Sequence, residues 1–153
     1  MVKKSELPVT FNIDECYFNK LRDLKSEVKE GDIENVFARL DNKEIYLFAI
    51  AITIKNKLTP KPSKKSNTFF RTDTIFYGKD PKATSILKSL IFDHSNDLKL
   101  LLPENATPFY RLAEKLANAG MNKTIELLLS KNKIEEMLLK EGNKFLKSTK
   151  KGG

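Results

Sequence analysis

Three observations predict a mainly α, α-rich α+β fold in a single domain. An apolar run from Ile45 to Ile54, broken only by Thr53, follows a helix-start signal and predicts a buried central helix over 42–55. Further segments on both sides of it carry apolar residues at helical spacing. Only residues 8–13 and 68–77 have β character, which predicts a short N-terminal strand and one small two-stranded pairing.

The central helix is specified locally. Asp41 stands at the N-cap position, and Glu44, three residues on, completes a capping box, with Leu40 and Ile45 at the positions of a hydrophobic staple. The run is about half of the roughly 20 residues a membrane span requires, so it reads as a core helix and the partners exclude a membrane. Apolar on all sides, it is expected to be buried on most of its faces, with Phe48 in the core.

Before it, residues 8–13 alternate, with Val9, Phe11 and Ile13 on one face and Thr10 and Asn12 on the other. Asp14 caps a helix with Tyr17, Leu21, Leu24 and Val28 on one side, and Ile13 and Phe18 as its staple. Glu30-Gly31-Asp32 ends that helix, and Val36, Phe37 and Leu40 mark a short segment that follows. After Leu58, residues 59–67 hold two prolines, no acid and no apolar period, which predicts an exposed, mobile loop. Asp80-Pro81 opens a helix through Ile86, Leu87, Leu90 and Ile91 to about His94. Residues 98–102 form a short apolar piece before Pro103. Thr107-Pro108 starts a helix over 109–119, with Phe109, Leu112, Ala113, Leu116 and Ala117 on one face and Gly120 as the C′ residue that ends it. A new helix is expected from Asn122 or Lys123, carrying Ile125, Leu128 and Leu129. A last one holds Ile134, Met137, Leu138, Phe145 and Leu146, with Gly142 weakening its middle.

With 153 residues and no long interior linker, the chain fits one globular domain over 1–149, with 150–153 as a disordered tail. The absence of an apolar segment after Val2-Lys3-Lys4 and the single cysteine, Cys16, give a cytoplasmic reading without disulfides. Enzymatic patterns are missing. No phosphate-cradling glycine motif is present, and no cluster of His, Cys and carboxylates has metal-ligand spacing, so no cofactor, no metal and no catalysis are expected. His94, the one histidine, reads as a dipole partner at a helix C-terminus. Cys16, beside Asp14 and Glu15, lacks the electropositive setting of a reactive thiol.

Charge is the better lead. The net charge is +8 with a pI near 9.5, which suits nucleic acid or an acidic protein as partner, or simply a solvated lysine-rich surface. Lys55, Lys57, Lys61, Lys64, Lys65 and Arg71 follow one another without an acid until Asp73, and Phe69 and Phe70 lie among them. Those six cations are the expected phosphate-contacting residues. The two phenylalanines could stack on bases or belong to the core, and the core reading is preferred. A second basic group, Lys140, Lys144, Lys147, Lys150 and Lys151, is diluted by Glu141 and reads as solvated.

The stretch Val9-Thr10-Phe11-Asn12-Ile13 before an Asp14-capped helix resembles the start of a ribbon-helix-helix repressor subunit. That resemblance implies a homodimer joined through paired strands, with Thr10 and Asn12 as groove-reading residues. The longer run Val36-Phe37, Asn42-Lys43-Glu44 and Leu47-Phe48-Ala49-Ile50-Ala51, with Lys55-Asn56-Lys57 and Pro60 behind it, is similar to small proteins encoded beside DNA phosphorothioation (Dnd) systems. The segment from Leu112 to Gly120 is similar to a later part of that family. Ile52-Thr53-Ile54 departs from it where a glycine is usual, and Lys115-Leu116 stands in place of a Glu-Tyr pair. The resemblance implies a non-catalytic accessory of a DNA-modification or defence system and assigns no catalytic residue. The alternative is an assembly module with an acidic protein partner and no direct role on nucleic acid.

Overall fold

The computed structural model describes residues 10–27, 35–71 and 80–151. The side chains of 132–137 and 139–151 lie outside the description, as do the backbone expectations at 8–9, 28–34, 72–77 and 152–153. Among the described residues helices dominate, with one two-stranded antiparallel sheet. The chain runs β1 (Thr10–Asp14), α1 (Glu15–Ser26), α2 (Val36–Arg39), α3 (Asn42–Lys55), β2 (Ser66–Arg71), α4 (Pro81–Ser95), two short 3-10 turns (Leu98–Leu101 and Pro103–Asn105) and α5 (Ala106–Lys151).

The expected α3 forms with the expected start. The Asp41 carboxylate accepts from Glu44 N at 2.9 Å and the Glu44 carboxylate accepts from Asp41 N at 3.3 Å, so two donors that a helix start leaves unpaired are satisfied. Ile45, Tyr46, Ala49, Ile50, Ile52 and Thr53 are buried. Phe48 departs from expectation, because 46 % of its surface is exposed. α3 packs chiefly on α5, with α4 and β2 on its flanks. Those three neighbours leave uncovered, among the described residues, the strip that carries Glu44, Phe48 and Lys55.

Alternation puts Phe11 and Ile13 of β1 in the core and leaves Thr10 and Asn12 half-buried. β2 supplies the expected pairing partner, and the pairing is antiparallel. Thr10 faces Arg71 and Phe11 faces Phe70, but Asn12 faces Thr68, so Phe69 is a bulge residue. The bulge interrupts the two-residue alternation and lets consecutive aromatics reach one cluster. Phe69 is buried, and Phe70 stacks on Phe11 at 4.8 Å and meets Tyr46 edge-on at 5.1 Å. The core reading therefore holds for Phe69, and Phe70 is packed on the core's edge.

The N-terminal helix and α4 start as expected, on Asp14 and on Asp80 with Pro81 at the first turn. α1 buries Tyr17 and Leu21, and α4 buries Leu87 and Ile91 while Ile86 is 43 % exposed. Lys43 pairs with Asp80 at 2.7 Å and so ties α3 to the cap of α4.

The three helices expected after residue 106 are one helix of 46 residues. Gly120 does not end it. A Cβ at Gly120 would lie 2.1 Å from Ala49 O and 2.5 Å from Thr53 Oγ1, so the glycine marks the point where α5 crosses the α3 backbone. Ala113, Leu116, Ala117 and Met121 complete the buried side of this crossing. Thr53 Oγ1 sits 2.6 Å from Leu116 O and 3.0 Å from Ala49 O, joining the helices by a hydrogen bond as well as by contact. A glycine at a C′ position and a glycine at a close helix crossing look alike in sequence, which accounts for the misreading.

Candidate nucleic-acid interface

The six expected cations, Lys55, Lys57, Lys61, Lys64, Lys65 and Arg71, are all exposed. They sit at the end of α3, along the loop that follows and at the end of β2. The loop is not the loose connector its composition predicts. Asn118, buried on α5, accepts Asp14 N on Oδ1 at 3.0 Å, and its Nδ2 donates to Lys61 O at 3.0 Å and to Ser63 Oγ at 2.8 Å. One amide thereby fastens the β1–α1 junction and the loop to α5.

Other bonds hold the rest of the loop. Lys61 N donates to Lys115 O at 3.0 Å, and Lys64 N donates to the second Asp14 carboxylate oxygen at 2.7 Å. Glu15 N donates to Lys65 O at 2.8 Å. Ser63 and Ser66 both donate to the Glu114 carboxylate, Ser66 at 2.6 Å. Asp14 is thus both the N-cap of α1, accepting from Cys16 N at 3.0 Å, and a tether for the loop. Burial pushes its carboxyl up, but the hydrogen bonds from the Cys16 and Lys64 N–H groups outweigh that and leave it below its ordinary value.

The side chains on this frame have separate settings. Lys61 Nζ donates to the Tyr17 hydroxyl at 2.9 Å and lies 5.4 Å from the ring centroid, and that hydroxyl holds the ammonium above its usual pKa. Lys65 lies 3.5 Å from Glu15 in an exposed pair, which contributes little stability.

Thr10 and Asn12 come to the same place. They form one wall of an open cleft of about 450 Å³ whose other sides are Pro62, Ser63 and Ser66 of the loop and the first turns of α5. From α5 come Thr107, Tyr110, Arg111, Glu114 and Lys115, of which Thr107 and the two cations Arg111 and Lys115 are exposed. Their spacing of four places both cations on one helix face, with Glu114 beside them. The cleft thus sets the strand candidates Thr10 and Asn12 beside the loop and adds Arg111 and Lys115, while none of the six expected cations is among its lining residues. Sequence reading passed over Arg111 and Lys115 because they lie on a helix recognised by its apolar face. β1 pairs with β2 of its own chain through this region.

Cys16 and His94 stay apart from the cleft lining. Burial, and then the Asp14 carboxylate, push the Cys16 thiol up, away from the thiolate. His94 is exposed in the last turn of α4. Among the described residues, no group of three His, Cys or carboxylate side chains could hold a metal ion, and no helix is long and apolar enough to cross a membrane. Comparison of the chain with protein-family models, with curated proteins and with solved structures finds no match.

Proposed function

We propose that this chain is a non-catalytic nucleic-acid-binding protein that holds its partner by phosphate contacts from the surface around residues 55–71. One observation carries the reading. Six cations that follow one another in sequence are all exposed, and the loop that carries Lys61, Lys64 and Lys65 is fastened to α5 and to the start of α1. Fastening matters because an ordered loop does not lose its own backbone freedom on binding. Arg111 and Lys115 add two exposed cations on α5, beside the loop residues Pro62, Ser63 and Ser66. In the accessory role that the phosphorothioation-associated resemblance implies, such a surface would hold DNA without reading much of its sequence, since phosphate contacts carry little sequence information.

A titration of a labelled 20-base-pair duplex at 50 and 200 mM salt tests this. Binding through phosphates gives a log–log slope of roughly −0.9 for each phosphate neutralised. A protein that leaves the duplex and a single strand of the same length unbound at both concentrations does not have this function, and an acidic protein partner becomes the leading assignment.

A further inference from the structure

The cleft between β1, the loop and α5 presents three kinds of chemistry within about 450 Å³, a volume in the range of roughly 300–1,000 Å³ that small-molecule sites occupy. Arg111 and Lys115 offer exposed positive charge one helical turn apart, suited to an anionic oxygen group. Tyr110, half-buried, offers an aromatic surface whose position is set by neighbours: its ring centroid is 4.7 Å from that of Phe11 and 5.7 Å from that of Phe109. A ring already fixed loses little freedom when a second ring packs on it. Asn12 and Glu114 offer directional polar groups. The Thr10 hydroxyl donates to Asn12 Oδ1 at 2.8 Å, so the amide nitrogen is the end left to a ligand. Glu114 receives the hydroxyls of Ser63 and Ser66 on one oxygen, Oε2, and its other oxygen has acceptor capacity remaining.

A cation pair, an aromatic surface and a donor beside an acceptor match the phosphate, the base face and the base edge of a single nucleotide. We propose that the cleft takes one unpaired nucleotide of a bound strand, its phosphate at Arg111 and Lys115 and its base against Tyr110. This rests on the nucleic-acid reading above and adds strand selectivity to it. A duplex keeps its bases stacked and paired, so its bases cannot enter without unpairing, whereas a single strand offers them freely. The Glu114 carboxylate accepts hydrogen bonds, and the two N–H bonds of an exocyclic amino group offer it more donors than the single ring N–H of thymine or uracil, which favours a base with that group. Adenine and cytosine have one; thymine and uracil do not.

Fluorescence anisotropy separates the possibilities with labelled 12-mers of oligo(dA), oligo(dC) and oligo(dT), a 12-base-pair duplex, and free AMP as competitor. The full chain is compared with the double variant Asn12→Ala/Arg111→Gln, in which neither position belongs to the fully buried core, and with Arg111→Lys. Thermal melting establishes that each variant is folded. The expected result is oligo(dA) and oligo(dC) bound about 5- to 100-fold more tightly than the duplex, the range that stacking of a base contributes. Oligo(dT) should fall between. The double variant should lose most of that preference, its single-strand affinity falling by clearly more than its duplex affinity, which drops only by the share of one lost cation, while Arg111→Lys, which retains the charge, should keep most of the preference.

Equal binding of duplex and all single strands, unchanged by the double variant, overturns the cleft assignment and leaves the phosphate-binding function intact. Absence of binding to every strand overturns both. AMP bound without any strand assigns the cleft to a free nucleotide and overturns the strand reading. Should the double variant fail to melt cooperatively, displacement of oligo(dA) from the unaltered protein by excess AMP supports the site, and failure to displace it overturns it.

Discussion

Asn118 is the residue on which the candidate site depends most. It is 1 % exposed and its amide makes three hydrogen bonds to two segments distant in sequence. Asn118→Ala would leave Asp14 N, Lys61 O and Ser63 Oγ without this partner, and each buried polar group so orphaned costs about 1–3 kcal/mol. Denaturant unfolding should show a loss of about 2–4 kcal/mol, with proteolytic cleavage appearing between residues 57 and 66. A loss under about 0.5 kcal/mol, the range of ordinary surface changes, would mean that the loop does not depend on Asn118. Asp14 adds a pH dependence. Its folded pKa lies below the ordinary value, so its contribution to stability is complete above the unfolded pKa of about 3.9 and is lost as pH falls through the lower folded value. Asp14→Asn should therefore be less stable than the parent at pH 7, and the gap should narrow below about pH 4. Unfolding curves for the two proteins at pH 7 and pH 3 measure this, and a gap that widens in acid contradicts it. Phe48 gives the opposite case. Being nearly half exposed, its replacement by Ala should cost less than about 1.5 kcal/mol in denaturant unfolding, well below the 3–5 kcal/mol typical of a core phenylalanine.

Elements were legible in the sequence where their signals are local. The capping box of α3, the Asp14 cap of α1 and the Asp80-Pro81 start of α4 each lie within four residues, and all three form. The pairing of two strands was legible from their β character, but its antiparallel sense and the Phe69 bulge were not, since register depends on what both faces pack against. The continuity of α5 was hidden by Gly120, whose helix-weakening character is outweighed by the close approach to Ala49 that only glycine permits. This crossing makes a firm prediction. Gly120→Ala would gain up to about 1 kcal/mol of helix propensity, but its Cβ would meet backbone, so α3 and α5 must part. The net loss should be about 1–3 kcal/mol or more, read from the unfolding midpoint. A more stable variant would contradict the packing of α3 on α5. The loop's fastening was illegible for a different reason. Asp14 and Asn118 are 104 residues apart, and no spacing in the sequence announces that their side chains meet.

At the scale of the whole molecule, the +8 charge gains significance from where part of it lies. Exposed lysines over 55–71, with Arg111 and Lys115 exposed at the cleft, put part of that charge in contact with solvent, where it can act on a partner. Exposed positive charge speeds encounter with a polyanion and is weakened by salt. The most direct test compares the parent with Lys57→Gln/Lys64→Gln/Lys65→Gln, which leaves in place the Lys61–Tyr17 contact and every bond made by the loop backbone. Affinity for two duplexes of unrelated sequence is measured across 50–200 mM salt. The account predicts that the variant binds both duplexes more weakly by about the same factor, with a salt slope shallower by up to about three units, and that its unfolding free energy stays within about 0.5 kcal/mol of the parent's. A variant that binds as tightly as the parent, with the same slope, would contradict phosphate recognition by this surface.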